Sequence, residues 1–173
     1  MIYKHKRGVL YLTRGAVIAA LYVALTLLSA SVGLAFGPIQ LRLSEALCVL
    51  AVFLPEAVPG LTIGCLISNL FSPLGAGMVA DLIFGSLATL IGAMGARWLR
   101  SRPLLSPLPT VVANTVVVPW VLAFFYGAEE SVPYLMLTVG VGEVLSAWVL
   151  GLILLRALRP FASRFTGEDE HGV

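Results

Sequence analysis

Residues 43–71 read LSEALCVLAVFLPEAVPGLTIGCLISNLF, and how often this stretch crosses a membrane decides the fold. It is too long for one comfortable helical span of about 20 apolar residues and short for two. Pro55 and Pro59 interrupt it near its middle, where a helix would stop or turn. Four flanking runs are unambiguous spans by length and hydropathy: residues 16–36, 78–96, 108–126 and 134–155. Charge resolves the central one. Lys4, Lys6, Arg7 and Arg14 precede the first span, Arg97, Arg100 and Arg102 follow the second clear one, and Arg156, Arg159 and Arg164 follow the last. If residues 43–71 form a helical hairpin, all ten of these basic residues fall on one side, which the positive-inside rule makes cytoplasmic. A single long helix would strand the Arg97 group on the other face. The reading is an all-α membrane protein of six transmembrane helices with both termini cytoplasmic.

Composition leads to the same class. The chain has 173 residues, 59% hydrophobic and 12% charged, with a mean hydropathy of +0.98. Soluble domains are about 25% charged, so this chain cannot coat a water-facing surface, and it is too apolar for disorder. Its organisation follows: a basic N-terminal tail over 1–14, one six-helix transmembrane domain over 15–156, and a C-terminal tail over 157–173. Lys4 to Arg7 with Ser29-Ala30-Ser31 also resembles a cleavable leader, but an apolar run continuing through Phe36 exceeds a normal signal core. The segment is therefore read as a retained first span.

Several chemistries are excluded. No Gly-xxxx-Gly-Lys-Ser/Thr loop occurs, so ATP is not bound in the P-loop manner. His5 and His171 lie in the polar tails, Cys48 and Cys65 are a lone apolar pair, and there is no metal-ligand set, no cofactor motif and no basic stripe for nucleic acid.

Polar residues that lipid should not tolerate collect in the outer half. Gln40, Arg42, Ser44 and Glu45 open the second helix, Asn69 closes the third, Asp81 begins the fourth, Asn114 lies deeper in the fifth, and Glu143 sits near the middle of the sixth. A charge at mid-bilayer costs about 2.5 to 3.5 kcal/mol on insertion scales and marks a cavity or a partner. Simpler roles exist: Arg42 and Glu45, three apart, could pair, and Asp81 could cap its helix. Glu129 and Glu130 read as a solvated outer loop. Five outer acids against Arg42 favour a cationic or donor-rich ligand. Trp120, Tyr126 and Tyr134 are interface-belt aromatics or stacking surfaces for a flat guest. Ala16, Ala20 and Ala24 form a flat ridge on the first helix, suited to close helix approach.

The segments 37–47 (GPIQLRLSEAL), 60–73 (GLTIGCLISNLFSP), 81–90 (DLIFGSLATL), 109–114 (PTVVAN) and 140–143 (GVGE) together resemble the queuosine precursor transporter family, QueT. These are substrate-binding S components of energy-coupling factor transporters. The resemblance covers nearly all the helical chain. It implies a six-helix bundle in the cell membrane with an outward-facing pocket, docked on a membrane coupling protein and two cytoplasmic ATPases. The ligand class it implies is a deazaguanine base or queuine. On this reading Glu143 meets the base edge or ammonium, Asn114 the carbonyl, Trp120 the ring face, and Glu45 or Asp81 the amine. Gln40, Arg42 and Asn69 complete the pocket, and Ala16, Ala20 and Ala24 form the partner-docking strip. Competing readings are an S component for riboflavin, thiamine or biotin, a small membrane enzyme with Glu143 and Asp81 as acid and base, and an assembly subunit whose acids only pair between helices.

Overall fold

The computed structural model describes residues 2–73 and 75–161, with the backbone alone described for 2–7. Leu74, the side chains of Lys4, His5, Lys6 and Arg7, and the tail beyond 161 with Arg164 and His171 lie outside the described residues. Six helical segments, with no strand among them, make up the described chain: α1 (Ile2–Ser31), α2 (Leu43–Phe53), α3 (Ala57–Asn69), α4 (Ala76–Ser101), α5 (Pro103–Phe125) and α6 (Val132–Phe161). Four of them, α1, α4, α5 and α6, are long and apolar enough to cross a membrane, while α2 and α3 are shorter apolar helices.

Helix α2 is the axis of the bundle. Its Leu47, Ala51 and Leu54 pack with Ile18 and Tyr22 of α1, Leu61 and Cys65 of α3 and Ala93 and Ala96 of α4. Its other side, Cys48, Val49 and Val52, packs with Val111 of α5 and Ala147 and Leu155 of α6. A third cluster joins α5 and α6 through Val118, Leu122, Leu135 and Val139. The outward faces carry exposed leucine, isoleucine, valine and phenylalanine, as hydrocarbon surroundings require.

The hairpin inferred from residues 43–71 is present. Helix α2 runs from beside Ser29, whose Oγ accepts from the Leu43 N–H at 3.0 Å, to the Arg97 end, where Arg97 donates to the Val52 carbonyl at 3.0 Å. Three residues turn the chain, and α3 runs back from Glu56, paired with Arg14 at 3.3 Å, to Asn69 beside Asp81. Arg97 thus satisfies carbonyls left open at the end of α2, where a helix has no partners of its own.

The first helix departs from the expected 16–36. It begins at Ile2, so residues 2–14 are helical backbone continuous with the span, and it stops at Ser31. The stop has a local cause: Gly33 takes φ +77, its N–H bonds to Ala30 O at 2.9 Å, and the Leu34 N–H bonds to Ser29 O at 2.9 Å. This pair of bonds is the Schellman termination, which glycine permits because it lacks a Cβ. Phe36 therefore lies in the loop, not in the helix.

Between helices the close contacts rest on small residues. A Cβ at Gly64 would come within 2.7 Å of the Tyr22 Cβ and 2.9 Å of the Ala19 carbonyl, and one at Gly92 within 2.7 Å of Thr110 Oγ1. Lipid gives no hydrophobic drive to helix association, so such approaches carry it. Gly64→Val is expected to lower stability by about 1–3 kcal/mol through overpacking. The exposed neighbour substitution Ile63→Val should stay within about 0.5 kcal/mol, both read as thermal unfolding in detergent.

Candidate functional site

The site is assembled from the polar side chains of all six helices and the loop over 32–42. Helix α1 supplies Tyr22, Thr26 and Ser29, spaced four and three apart and therefore on one face. All three are buried. Tyr22 donates its hydroxyl to Glu45 Oε1, Thr26 bonds Ser44 Oγ at 2.8 Å, and Ser29 holds the Leu43 N–H. Helix α2 answers with a 3-10 opening over Leu43–Val49, whose tight turn stacks residues three apart on one side.

The loop is pinned from both ends. Arg42 Nε donates to the Ala35 carbonyl at 2.7 Å, and its guanidinium lies 5.3 Å from the centre of the Phe36 ring, a cation–π distance. From the other side Thr138 Oγ1 donates to Pro38 O at 2.6 Å. The bare Gly142 backbone presses on Gln40, where any Cβ would overlap the Gln40 carbonyl. Gln40 and Arg42 are both buried as a result.

Two further carboxylates face this group. Asp81 accepts from the Tyr126 hydroxyl at 2.6 Å, and its backbone carbonyl accepts from Asn69 Nδ2 at 2.8 Å. The Tyr126 ring lies flat against Gly77, where a Cβ would be 2.5 Å from it. Glu143 ends the first α-helical part of α6, Val132–Glu143. Asp81 opens a π-helical turn, Asp81–Gly85, and Glu143 is followed by another, Val144–Leu150. Such turns re-aim side chains and free backbone groups, and they recur at functional sites. Asn114, also buried, lies beside Glu45 and Glu143. The Arg42 charge acts on Glu45, Asp81 and Glu143 alike.

The result is three buried carboxylates around one guanidinium, with polar atoms left over. Glu143 Oε2 and Asn69 Oδ1 are buried and have no hydrogen-bond partner. Orphaned buried acceptors are costly, and Ser86, Thr110 and Thr115 each leave a buried hydroxyl without a partner as well. A guest bearing N–H groups or a positive charge would satisfy both acceptors.

Of the residues singled out from sequence, Glu143, Asn114, Glu45, Asp81, Asn69, Gln40 and Arg42 are all buried. The local alternatives are not what forms. Arg42 and Glu45 do not pair with each other but bind Ala35 and Tyr22, because the loop and α1 offer better-placed partners. Asp81 lies one turn inside α4, whose first residue is Ala76, and holds Tyr126 instead of capping. Trp120 is set apart: it is 46% exposed and stacks on Phe124 at 5.7 Å, in an exposed apolar groove with Phe84 and Val116. Sequence reasoning missed Tyr22 and Thr26, although a polar stripe at i, i+4, i+7 in an apolar span was a readable signal. Ala16, Ala20 and Ala24 are exposed on the far side of α1 from that stripe. Ala16 and Ala20 line an apolar groove of about 460 Å³ between α1 and α3. No group of three metal-ligating side chains occurs among the described residues.

Comparison with known proteins adds two findings. The family described as QueT transporter matches residues 12–160. The queuosine precursor transporter QueT of Lactococcus lactis subsp. cremoris (strain MG1363) is 42% identical over 76 residues, covering 44% of this chain and 43% of that protein. The aligned stretch thus spans less than half of that relative's length. No solved structure matches.

Tyr126 follows the last residue of α5, and burial first, then its bond to Asp81, push its hydroxyl up to about 12. The difference in phenolate absorbance between the parent protein and Tyr126→Phe should therefore titrate near pH 12. In an Asp81→Asn background that midpoint should move down toward the ordinary tyrosine value of about 10.

Proposed function

Because the chain belongs to the QueT transporter family, we propose that it is the ligand-binding membrane subunit through which a queuosine precursor is taken up, powered by partner ATPases. The family transports, so the membrane-enzyme reading is set aside, and the chain is a multi-pass membrane protein. The finer reading takes six membrane-crossing helices in the cell membrane, with α2 and α3 as the short pair. Arg14, Arg97, Arg100, Arg102, Arg156 and Arg159 then face the cytoplasm, as do both termini. The carboxylate cluster lies toward the outer surface.

The observation that carries the ligand assignment is the buried Glu143 Oε2 without a partner, next to Asn114 and across from Glu45. A deazaguanine edge presents adjacent N–H donors that a carboxylate accepts in pairs, and a ring carbonyl that an amide N–H can meet. Glu143 takes that edge. Asn114 keeps one N–H toward a carboxylate and turns the other to the carbonyl. An aminomethyl group on the guest, charged at neutral pH, goes to Glu45 or Asp81, where Arg42 leaves two of the three acid charges uncompensated. Asn69 Oδ1 offers a further acceptor, and Gln40 and Arg42 close the site from the loop. Trp120 is left out of the set because its ring packs on Phe124 at the exposed face.

Energy must come from elsewhere, since the chain has no P-loop. The ridge of Ala16, Ala20 and Ala24, with the groove beside it, is the surface on which a membrane coupling protein would seat, bringing two cytoplasmic ATPases with it.

A thermal-unfolding panel on the purified protein tests the reading. Queuine, the aminomethyl base or the cyano base should raise the unfolding temperature, and riboflavin, thiamine and biotin should not. Glu143→Gln should weaken the protecting base by roughly tenfold to a hundredfold, the value of a charge-assisted hydrogen bond. Trp120→Ala should leave its affinity unchanged. Protection by one of the vitamins alone would reassign the ligand, and full affinity in Glu143→Gln would remove Glu143 from the site.

A further inference from the structure

At the opposite end of the bundle from the carboxylates, an open depression of about 400 Å³ lies between the start of α3 and the end of α4. It is lined by Val58, Met94, Arg97, Trp98 and Arg100. Two kinds of chemistry meet there. Arg97 is held in place by the Ala51 and Val52 carbonyls at 3.4 and 3.0 Å, so its charge sits at a defined point on the rim. Arg100 follows three residues later. Among the described residues neither has a carboxylate within ion-pair distance, and the acid at this end, Glu56, is engaged with Arg14. The second feature is apolar. Leu87, Ile91, Met94 and Trp98 are 49%, 50%, 57% and 83% exposed, and their spacing of four, three and four places them on one face of α4. That face runs about 16 Å along the helix, at about 1.5 Å per residue, from the depression toward the middle of the span.

A small anion would use the arginines and leave the apolar track idle. A chain that meets both needs a phosphate head and a hydrocarbon tail. Paired guanidiniums suit a phosphodiester bidentately, and basic pockets at the cytoplasmic ends of membrane helices suit anionic headgroups. An indole at the helix end sits at headgroup depth. We infer that this depression is a binding site for an anionic phospholipid, its phosphate between Arg97 and Arg100 and one acyl chain along Trp98, Met94, Ile91 and Leu87.

The test uses the full chain purified in detergent, with thermal unfolding followed against phosphatidylglycerol, phosphatidylcholine of the same acyl chains, and glycerol phosphate. Phosphatidylglycerol should protect where the other two do not. Arg100→Gln, at an exposed position, should weaken that protection about fivefold, the factor for one basic residue at an anionic surface. Trp98→Ala should weaken it as well while leaving the charge in place. Equal protection by the two lipids overturns the proposal, as does an unchanged phosphatidylglycerol response in both variants. Protection by glycerol phosphate matching that of the lipid would make it a free-anion site. A full lipid response in Arg100→Gln, combined with loss of co-purifying ATPases, would assign the patch to a protein partner instead. None of these outcomes depends on the ligand of the carboxylate site.

Discussion

Three carboxylates and one guanidinium are buried in the interior, and the arrangement of the bundle follows from how each finds a partner. Glu45 reaches Tyr22 on α1, Asp81 reaches Tyr126 beyond α5, Glu143 lies beside Asn114 of α5, and Arg42 turns to the loop carbonyl of Ala35. Every one of these links joins different elements or folds a loop back on itself. In a medium where an unpaired polar group is so costly, such links select one packing of the helices over others that would bury similar apolar area. The pairing is incomplete: among the described residues Glu143 Oε2 and Asn69 Oδ1 are buried without a hydrogen-bond partner, a state that is costly unless something satisfies it.

The frame holding these groups is made by residues with little or no side chain. Gly60 and Gly64 let α3 lie against α1, Gly92 lets α4 lie against α5, and Gly142 admits the Gln40 carbonyl of the loop. The short α2 sits inside this frame, touching α1, α3 and α4 on one side and α5 and α6 on the other. Its base is closed by Arg97 on its terminal carbonyls and by the Arg14 to Glu56 pair at the start of α3. The bundle is thus tied at one end by half-buried arginines and at the other by buried acids.

Helix α1 has a double role. Tyr22, Thr26 and Ser29 face inward onto α2, while Ala16, Ala20 and Ala24 are exposed about half a turn away around the helix axis. One element therefore carries both part of the proposed site and the strip proposed for partner docking, and Tyr22 joins it directly to Glu45 of α2.

Much of this was legible in residue order. The placement of ten basic residues required residues 43–71 to turn back on themselves, and the positions of Glu45, Asp81, Asn114 and Glu143 within apolar runs marked them as groups to be buried among the helices. Those inferences work because lipid penalises charge by depth alone, a property that can be read along one dimension. Helix ends and pairings were less accessible. The early stop of α1 depends on one glycine adopting a positive φ, and the partners of Arg42, Asp81 and Trp120 depend on how the loop folds back, on what α5 brings to Asp81, and on which face of α5 stays exposed. Local spacing suggested Arg42 with Glu45 and a cap for Asp81, and the family resemblance implied a ligand face for Trp120. Packing chose Ala35, Tyr126 and Phe124. Residue order therefore determined how many times the chain turns and which groups must hide from lipid, whereas only the tertiary structure decided which of those groups meet, because hydrogen bonds are directional and short while the cost of burial is neither.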